Sequence, residues 1–204
     1  MIEREAKLAA PSSFRIPDLT AVVPGAEMRA AATRLLDATY YDGPGRPLAA
    51  AGITVRHRTG EGAPRWTVKL GRGSASGVLA RDEIDVDGPP DVVPDEVRAL
   101  VAEHLGAAEL VAVARVVSER ETIEVLAADS TKLAEVDDDF VRVLDGDDEV
   151  GSFREVEVEL TAGTPESVLH EVVARLRRAG AGEPDPTPKL VRALRLLDER
   201  GSAG

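Results

Sequence analysis

Residues 153–160 read Phe-Arg-Glu-Val-Glu-Val-Glu-Leu, so that Glu155, Glu157 and Glu159 alternate with Val156, Val158 and Leu160. Successive side chains of a strand point to opposite faces, and a period of two therefore predicts a strand with one acidic and one apolar face. Carboxylates stacked on one face repel each other unless a cation lies over them. A chain carrying such a strand must either expose that face to water or build an interior that holds cations.

Other segments repeat the pattern. Strands are predicted over 2–9, 53–59, 65–70, 78–86, 111–117, 119–126, 133–143 and 153–161, with turns at the intervening Gly- and Pro-rich stretches. Their polar faces tend to carry one sign. Arg56 and Arg58 share a face opposite Ile53 and Val55, Arg65 and Lys69 lie opposite Trp66 and Val68, and Glu135, Asp137 and Asp139 share a face. A solvated outer face usually mixes signs, whereas carboxylate strands and guanidinium strands are each electrostatically incomplete. A polyphosphate with a divalent metal completes both, because carboxylate oxygens suit Mg²⁺ or Mn²⁺ while Arg and Lys suit phosphate oxygens.

Helices are predicted over 94–105, over 165–179 with Thr164 as N-cap, and from Pro188 to about residue 199 with Thr187 as N-cap. The stretch 26–41 favours helix by propensity but ends with strand and turn character. The helices do not alternate with strands, which excludes a doubly wound sheet and points to an antiparallel α+β barrel or sandwich in one domain.

Composition narrows the chemistry. The 204 residues contain no cysteine, which removes disulfides, thiolate metal sites and cysteine nucleophiles. His57, His104 and His170 lack metal-ligand spacing. The net charge of −12 argues against nucleic-acid binding. No apolar run approaches the ~20 residues of a membrane span, and the charged N-terminus is unlike a secretory signal, so a cytoplasmic location is expected. The chain uses 21 Arg but only four Lys, at positions 7, 69, 132 and 189, which singles those four out for attention.

The sequence Glu3-Arg4-Glu5-Ala6-Lys7 resembles the ExExK signature of the CYTH domain, or triphosphate tunnel metalloenzyme, family. ATYYDGPG at 38–45 resembles that family's tyrosine–aspartate turn, with Gly43 where threonine is usual. GITVRHRTG at 52–60 is similar to its paired-Arg strand, and WTVKL at 66–70 to its lysine strand. Arg81 and Arg120 fall in the next basic strands, and 133–139, 153–160 and 188–194 are similar to its closing acidic strands and terminal helix.

The resemblance implies an eight-stranded antiparallel β-barrel with a charged tunnel and a few outer helices, one domain over 1–200 with a tail at 201–204, and a strand over 34–41. It implies a divalent-metal-dependent enzyme acting on triphosphates, with inorganic triphosphate the leading substrate. The alternatives are a thiamine or nucleoside triphosphatase, an adenylyl cyclase of the same fold, and a non-catalytic polyphosphate- or nucleotide-binding module. Lys7, Arg56, Arg58, Lys69, Arg81, Arg120, Lys189 and Arg192 are the expected triphosphate ligands, with Lys7, Lys69 and Arg58 the expected catalytic cations. Glu3, Glu5, Glu155, Glu157 and Glu159, with Glu135, Asp137 or Asp139, are the expected ligands of one or two Mg²⁺ or Mn²⁺ ions, and Glu3, Glu5 and Glu157 are preferred. Arg115 is a secondary candidate, His57 an outward structural residue and Lys132 a surface residue. The expected partner is a small triphosphate or polyphosphate. A homodimer is compatible with this reading, as is a helical CHAD domain if the chain is part of a longer protein.

Overall fold

The computed structural model describes residues 2–31, 33–75, 78–90 and 92–202; within these, Ile2, Glu3 and residues 72–81 are described by their backbone alone. In chain order the elements are β1 (Ile2–Ala9), β2 (Glu27–Ala30), β3 (Arg34–Asp42), α1 (Pro47–Ala50), β4 (Thr54–Thr59), β5 (Arg65–Ala75), β6 (Val78–Asp87), α2 (Asp95–Leu105), β7 (Val111–Leu126), β8 (Lys132–Asp145), β9 (Asp148–Leu160), α3 (Glu166–Arg178) and α4 (Lys189–Ser202).

The described strands pair antiparallel in the order β7-β3-β4-β5-β6-β1-β9-β8, and β8 pairs back onto β7. These eight strands form a ring, as the alternating patterns require if both faces are to be used. The short β2 continues the edge of β7 beyond β3, pairing Glu27–Ala30 with Ile123–Leu126. The helical propensity of residues 26–41 is thus overridden by two strand pairings along that edge. The two segments predicted at 111–117 and 119–126 are one continuous strand, long enough to hold both partners.

Two apolar clusters cover the outside of the ring. Ala6, Leu8, Val136, Val156 and Val158 face outward from their strands and pack on Val168, Leu169, Val172 and Leu176 of α3. Burying side chains of this size contributes about 1.5–3 kcal/mol each. Ile53, Val55, Trp66 and Val68 pack on Leu48 of α1 and on Val97 and Val101 of α2. His57 lies on this outer face with its ring edge-on to Trp66, the centroids 5.4 Å apart. The outward reading of its strand position therefore matches the structure.

The fourth helix lies elsewhere. Leu190, Ala193 and Leu194 of α4 pack on Tyr40, Val116, Val141 and Val143. Val141 and Val143 share a strand face with Asp139, and Val116 shares one with Arg120, so α4 covers inward-facing positions at one end of the ring. Of the three helices expected outside the ring, α2 and α3 lie there, while α4 closes part of the interior.

Local details also differ from the sequence reading. Pro165 rather than Thr164 occupies the N-cap of α3, with no side-chain cap, and α4 begins at Lys189. The unpredicted α1 follows from Asp42, whose buried carboxylate accepts hydrogen bonds from the backbone N–H groups of Gly43 (2.7 Å), Leu48 (3.0 Å) and Ala49 (2.9 Å). In the Gly-rich turn expected between 70 and 78, Ser76 and Gly77 lie outside the described residues, and β5 extends to Ala75. Among the described residues no helix is long and apolar enough to cross a membrane.

Candidate active site

Strand register arranges the inward side chains of β7, β8, β9 and β1 in three rows. The first row is Glu124, Glu135, Glu159 and Glu5; the second is Thr122, Asp137, Glu157 and Lys7; the third is Arg120, Asp139, Glu155 and Ala9. Like charges directly opposite each other across strands are destabilising, so each row needs cations. How each row is supplied differs.

The third row is ion-paired throughout, although neither Glu155 oxygen has a hydrogen-bond partner and burial raises the pKa of Glu155. Arg120 donates to Asp139 through Nε (2.8 Å) and Nη2 (2.6 Å), and Lys189 Nζ lies 2.6 Å from Asp139 Oδ2 and 3.2 Å from Glu155 Oε1. Arg192 approaches Glu155 at 3.5 Å and is anchored by Asp185 at 2.8 Å. Asp139 and Glu155 are both fully buried. Burial alone would raise Asp139, yet Lys189 and Arg120 hold it below the usual carboxylate range.

The second row is nearly saturated. Lys7 donates to Glu157, and Arg120 reaches Asp137 at 2.6 Å and Glu157 at 3.3 Å. Burial opposes the charge on Lys7, but Glu157, Glu5 and Glu155 outweigh it and raise its pKa. Glu157 is held well below its ordinary value, because Lys189, Lys7 and Arg120 outweigh the cost of burial. Asp137 differs. Burial pushes it up to about 6 although Arg120 and the Thr122 hydroxyl act against the rise.

The first row is undersupplied. Arg29 pairs with Glu124 at 2.6 Å and Lys132 with Glu135 at 2.9 Å, while Lys7 lies 3.4 Å from Glu5. Among the described residues no Lys or Arg nitrogen lies within 4.0 Å of Glu159. Its enclosing wall raises its pKa, Lys69 opposes the rise, and the charges of Glu5, Glu83 and Glu135 add to it.

The opposite wall has the converse deficit. Arg58 lies 2.7 Å from Glu61, and Lys69 lies 2.5 Å from Glu83. Arg56 lies between them, its Nε buried without a hydrogen-bond partner and, among the described residues, no carboxylate oxygen within 4.0 Å. The charge of Arg56, followed by burial, lowers the pKa of Arg58.

Between the walls is an open cavity of about 130 Å³. Glu5, Lys7, Arg56, Arg58, Lys69, Arg120, Glu135, Asp137, Glu157, Glu159 and Lys189, all expected from the sequence, line it. Asp139, Glu155 and Arg192 stand behind that lining. The backbones of Glu3 and Arg81 pair across β1 and β6, but their side chains lie outside the described residues. Arg115 points outward into a two-bond pair with Asp37 (3.1 and 2.7 Å) and takes no part in the site. Lys132 stands on the rim. Sequence reasoning missed Tyr40, Thr54, Glu61 and Glu83 as lining residues. Of these, Glu83 was legible from its strand parity, and Glu61 had no periodic signal.

A ring of antiparallel strands enclosing opposed carboxylate and guanidinium walls defines a barrel protein with a charged tunnel. The chain belongs to the CYTH domain family, whose sequence pattern matches residues 1–190. It is 30% identical over 207 residues to the uncharacterized protein Rv2226 of Mycobacterium tuberculosis, covering 95% of this chain. The chain spans about 40% of that relative's length. Its fold is similar to that of a putative adenylyl cyclase from Hippeastrum described as having a dominant triphosphatase activity, with a TM-score of 0.60 and 17% identity over 95% of both chains. It is also similar to the PH1819 protein of Pyrococcus horikoshii, with a TM-score of 0.52 and 16% identity over 97% of this chain and 99% of that one.

Proposed function

We propose that this chain is a divalent-metal-dependent triphosphatase acting on inorganic triphosphate. One observation carries the reading: among the described residues Arg56, hydrogen-bonded to Tyr40, forms no ion pair within 4.0 Å on one wall, and Glu159, beside Glu5 and Glu135, forms none on the other. A triphosphate bound with a metal ion meets both deficits at once.

Glu5, Glu159 and Glu135 offer carboxylate oxygens, the donor type a hard cation takes. Asp139, Glu155 and Glu157 also bring ligand oxygens within 4.8 Å of one another. Lys189, Arg120, Lys7 and Arg192 already form ion pairs with that deeper cluster, and the metal is assigned to the first row because Glu159 forms none among the described residues. Bound there, Mg²⁺ or Mn²⁺ would supply Lewis-acid polarisation of phosphoryl oxygens and lower the pKa of a water. Arg56, Arg58, Lys69 and Arg120 are placed to hold phosphate oxygens and to neutralise charge that develops as a terminal P–O bond breaks. Lys7 and Lys189 keep the deeper carboxylates from repelling the anion.

The choice of inorganic triphosphate is supported by what the cavity lacks. Among the described residues, apart from Tyr40, Pro188 and Leu190, its lining is charged or small and polar, which suits a polyanion better than a nucleobase. A phosphate-release panel tests this, using triphosphate, thiamine triphosphate, ATP and long polyphosphate, each with Mg²⁺ or Mn²⁺. Fastest release from triphosphate is expected. Cyclic AMP formed from ATP as the dominant product would replace the reading with the cyclase.

A further inference from the structure

Glu61 is a carboxylate on the basic wall. It projects from the turn between β4 and β5 into the lining of the cavity, with Oε2 2.7 Å from Arg58 and Oε1 3.1 Å from Arg34. The turn that carries it is fixed. Gly60 has φ 96°, and a Cβ there would stand 1.9 Å from the Leu35 carbonyl oxygen, so only glycine allows this close approach to β3. The backbone of Glu61 is thereby held beside the start of β3, where Arg34 sits, while its side chain spans two cations. Arg34 itself is not part of the cavity lining.

We propose that Glu61 is a built-in stand-in for the terminal phosphate, bridging Arg58 and Arg34 until an unesterified terminal phosphoryl group takes its place on Arg58 and leaves it on Arg34 alone. Arg58 is crowded by Arg56 and Arg120 and needs an anion whether or not a ligand is bound. Once a phosphate takes that position, the Glu61 carboxylate beside it is a like charge, and Arg34 offers it a second seat. Arg34 and Arg58 thus compete for one carboxylate, and the balance sets how tightly the tunnel holds its ligand. A dianionic terminal phosphate can outcompete a carboxylate where a singly charged phosphodiester cannot, so Glu61 selects ligands with a free terminal phosphate. The identity of the full ligand rests on the triphosphatase reading; the competition at Arg58 does not.

The test uses Glu61→Gln, Arg34→Ala and the double variant, each checked for folding by its denaturation midpoint. Binding of inorganic phosphate with Mg²⁺ present is titrated calorimetrically, and triphosphate hydrolysis is measured in parallel. Glu61→Gln should bind phosphate roughly three- to tenfold more tightly and lower KM by a similar factor, because a competing charge is gone. Arg34→Ala should move both values the opposite way although Arg34 lies outside the cavity lining. The double variant should behave like Glu61→Gln. Phosphate affinity unchanged or weakened in Glu61→Gln overturns the proposal and makes Glu61 a support for Arg58. Should Glu61→Gln not fold, Arg34→Ala decides alone, and phosphate binding as tight as in the unaltered protein overturns the idea. Tighter phosphate binding without any triphosphate hydrolysis leaves this inference standing and ends the triphosphatase reading.

Discussion

Lys189 Nζ lies 2.6 Å from Asp139 Oδ2, so the first residue of α4 ties that helix to the deepest carboxylates of the tunnel wall. The same ammonium lies 3.2 Å from Glu155 and 3.7 Å from Glu157. One side chain thus serves both as counter-ion to three acids and as anchor of the helix that closes one end of the ring.

Replacing Lys189 by Met is therefore expected to cost about 3–5 kcal/mol in metal-free protein, since breaking a buried pair strands the opposite charges. Mn²⁺ should return part of that loss, because Asp139, Glu155 and Glu157 keep ligand oxygens within 4.8 Å of one another. Denaturant midpoints with and without Mn²⁺ check both points. A variant as stable as the parent in chelator would show that α4 does not depend on this contact.

Glu159→Gln separates the two candidate metal positions. It should leave metal-free stability unchanged or slightly raised, since it removes repulsion from Glu5, Glu83 and Glu135. Divalent affinity should fall by roughly tenfold or more, because ligand charge tunes affinity at oxygen-donor sites. Mn²⁺ titration followed by electron paramagnetic resonance measures this directly. If Glu155→Gln loses the ion and Glu159→Gln keeps it, the metal belongs in the deeper cluster.

Arg58 and its neighbour His57 test the strand register. Arg58 lines the cavity, whereas His57 packs outside against Trp66. Arg58→Ala should remove a charge-assisted contact worth ~1.5–3 kcal/mol. That corresponds to roughly tenfold or more in kcat/KM. His57→Ala should lower stability modestly and leave kcat/KM nearly intact. The reverse outcome would require a one-residue slip of β4, which exchanges its faces.

The pattern of Glu155, Glu157 and Glu159 was legible because a period of two fixes parity from sequence alone. The same logic grouped Arg56 with Arg58 and Asp137 with Glu135 and Asp139 on single faces, while the inward direction of those faces came from the family resemblance. Parity does not give register, so nothing in the sequence aligned Glu124, Glu135, Glu159 and Glu5 in one row or showed that Glu155 would be sealed behind Lys189. The position of α4 was equally hidden, since the apolar stripe of Leu190, Ala193 and Leu194 would suit an outer face as well as an inner one. Residues 27–30 read as helix because propensity cannot register an open strand edge on β7. Glu61 lay in a Gly-Pro turn, where no periodicity exists to assign a direction.

Titration of the tunnel should give a metal-dependent stability profile. Burial pushes Asp137 up to about 6, against the opposing effects of Arg120 and Thr122. Burial likewise raises Glu159, with Glu5, Glu83 and Glu135 adding to the rise against Lys69. A carboxyl whose folded pKa exceeds its unfolded value binds more protons in the folded state, so its contribution to stability falls as pH rises through the folded pKa. Asp139 and Glu157 are held low and act in the opposite sense, but only as pH drops through and below the ordinary carboxylate range. Between about pH 5 and pH 7, then, Asp137 sets the sign, with Glu159 acting in the same sense, and metal-free protein should melt at a lower temperature at the higher pH. Metal binding needs deprotonated carboxylates, so the rise in Tm on adding Mg²⁺ should be larger at about pH 7.5 than at about pH 5.5. Thermal melts at both values, in chelator and in excess Mg²⁺, give the four numbers needed. An Mg²⁺ increment that is equal at the two values, or larger at the lower one, would remove these carboxylates from the metal site.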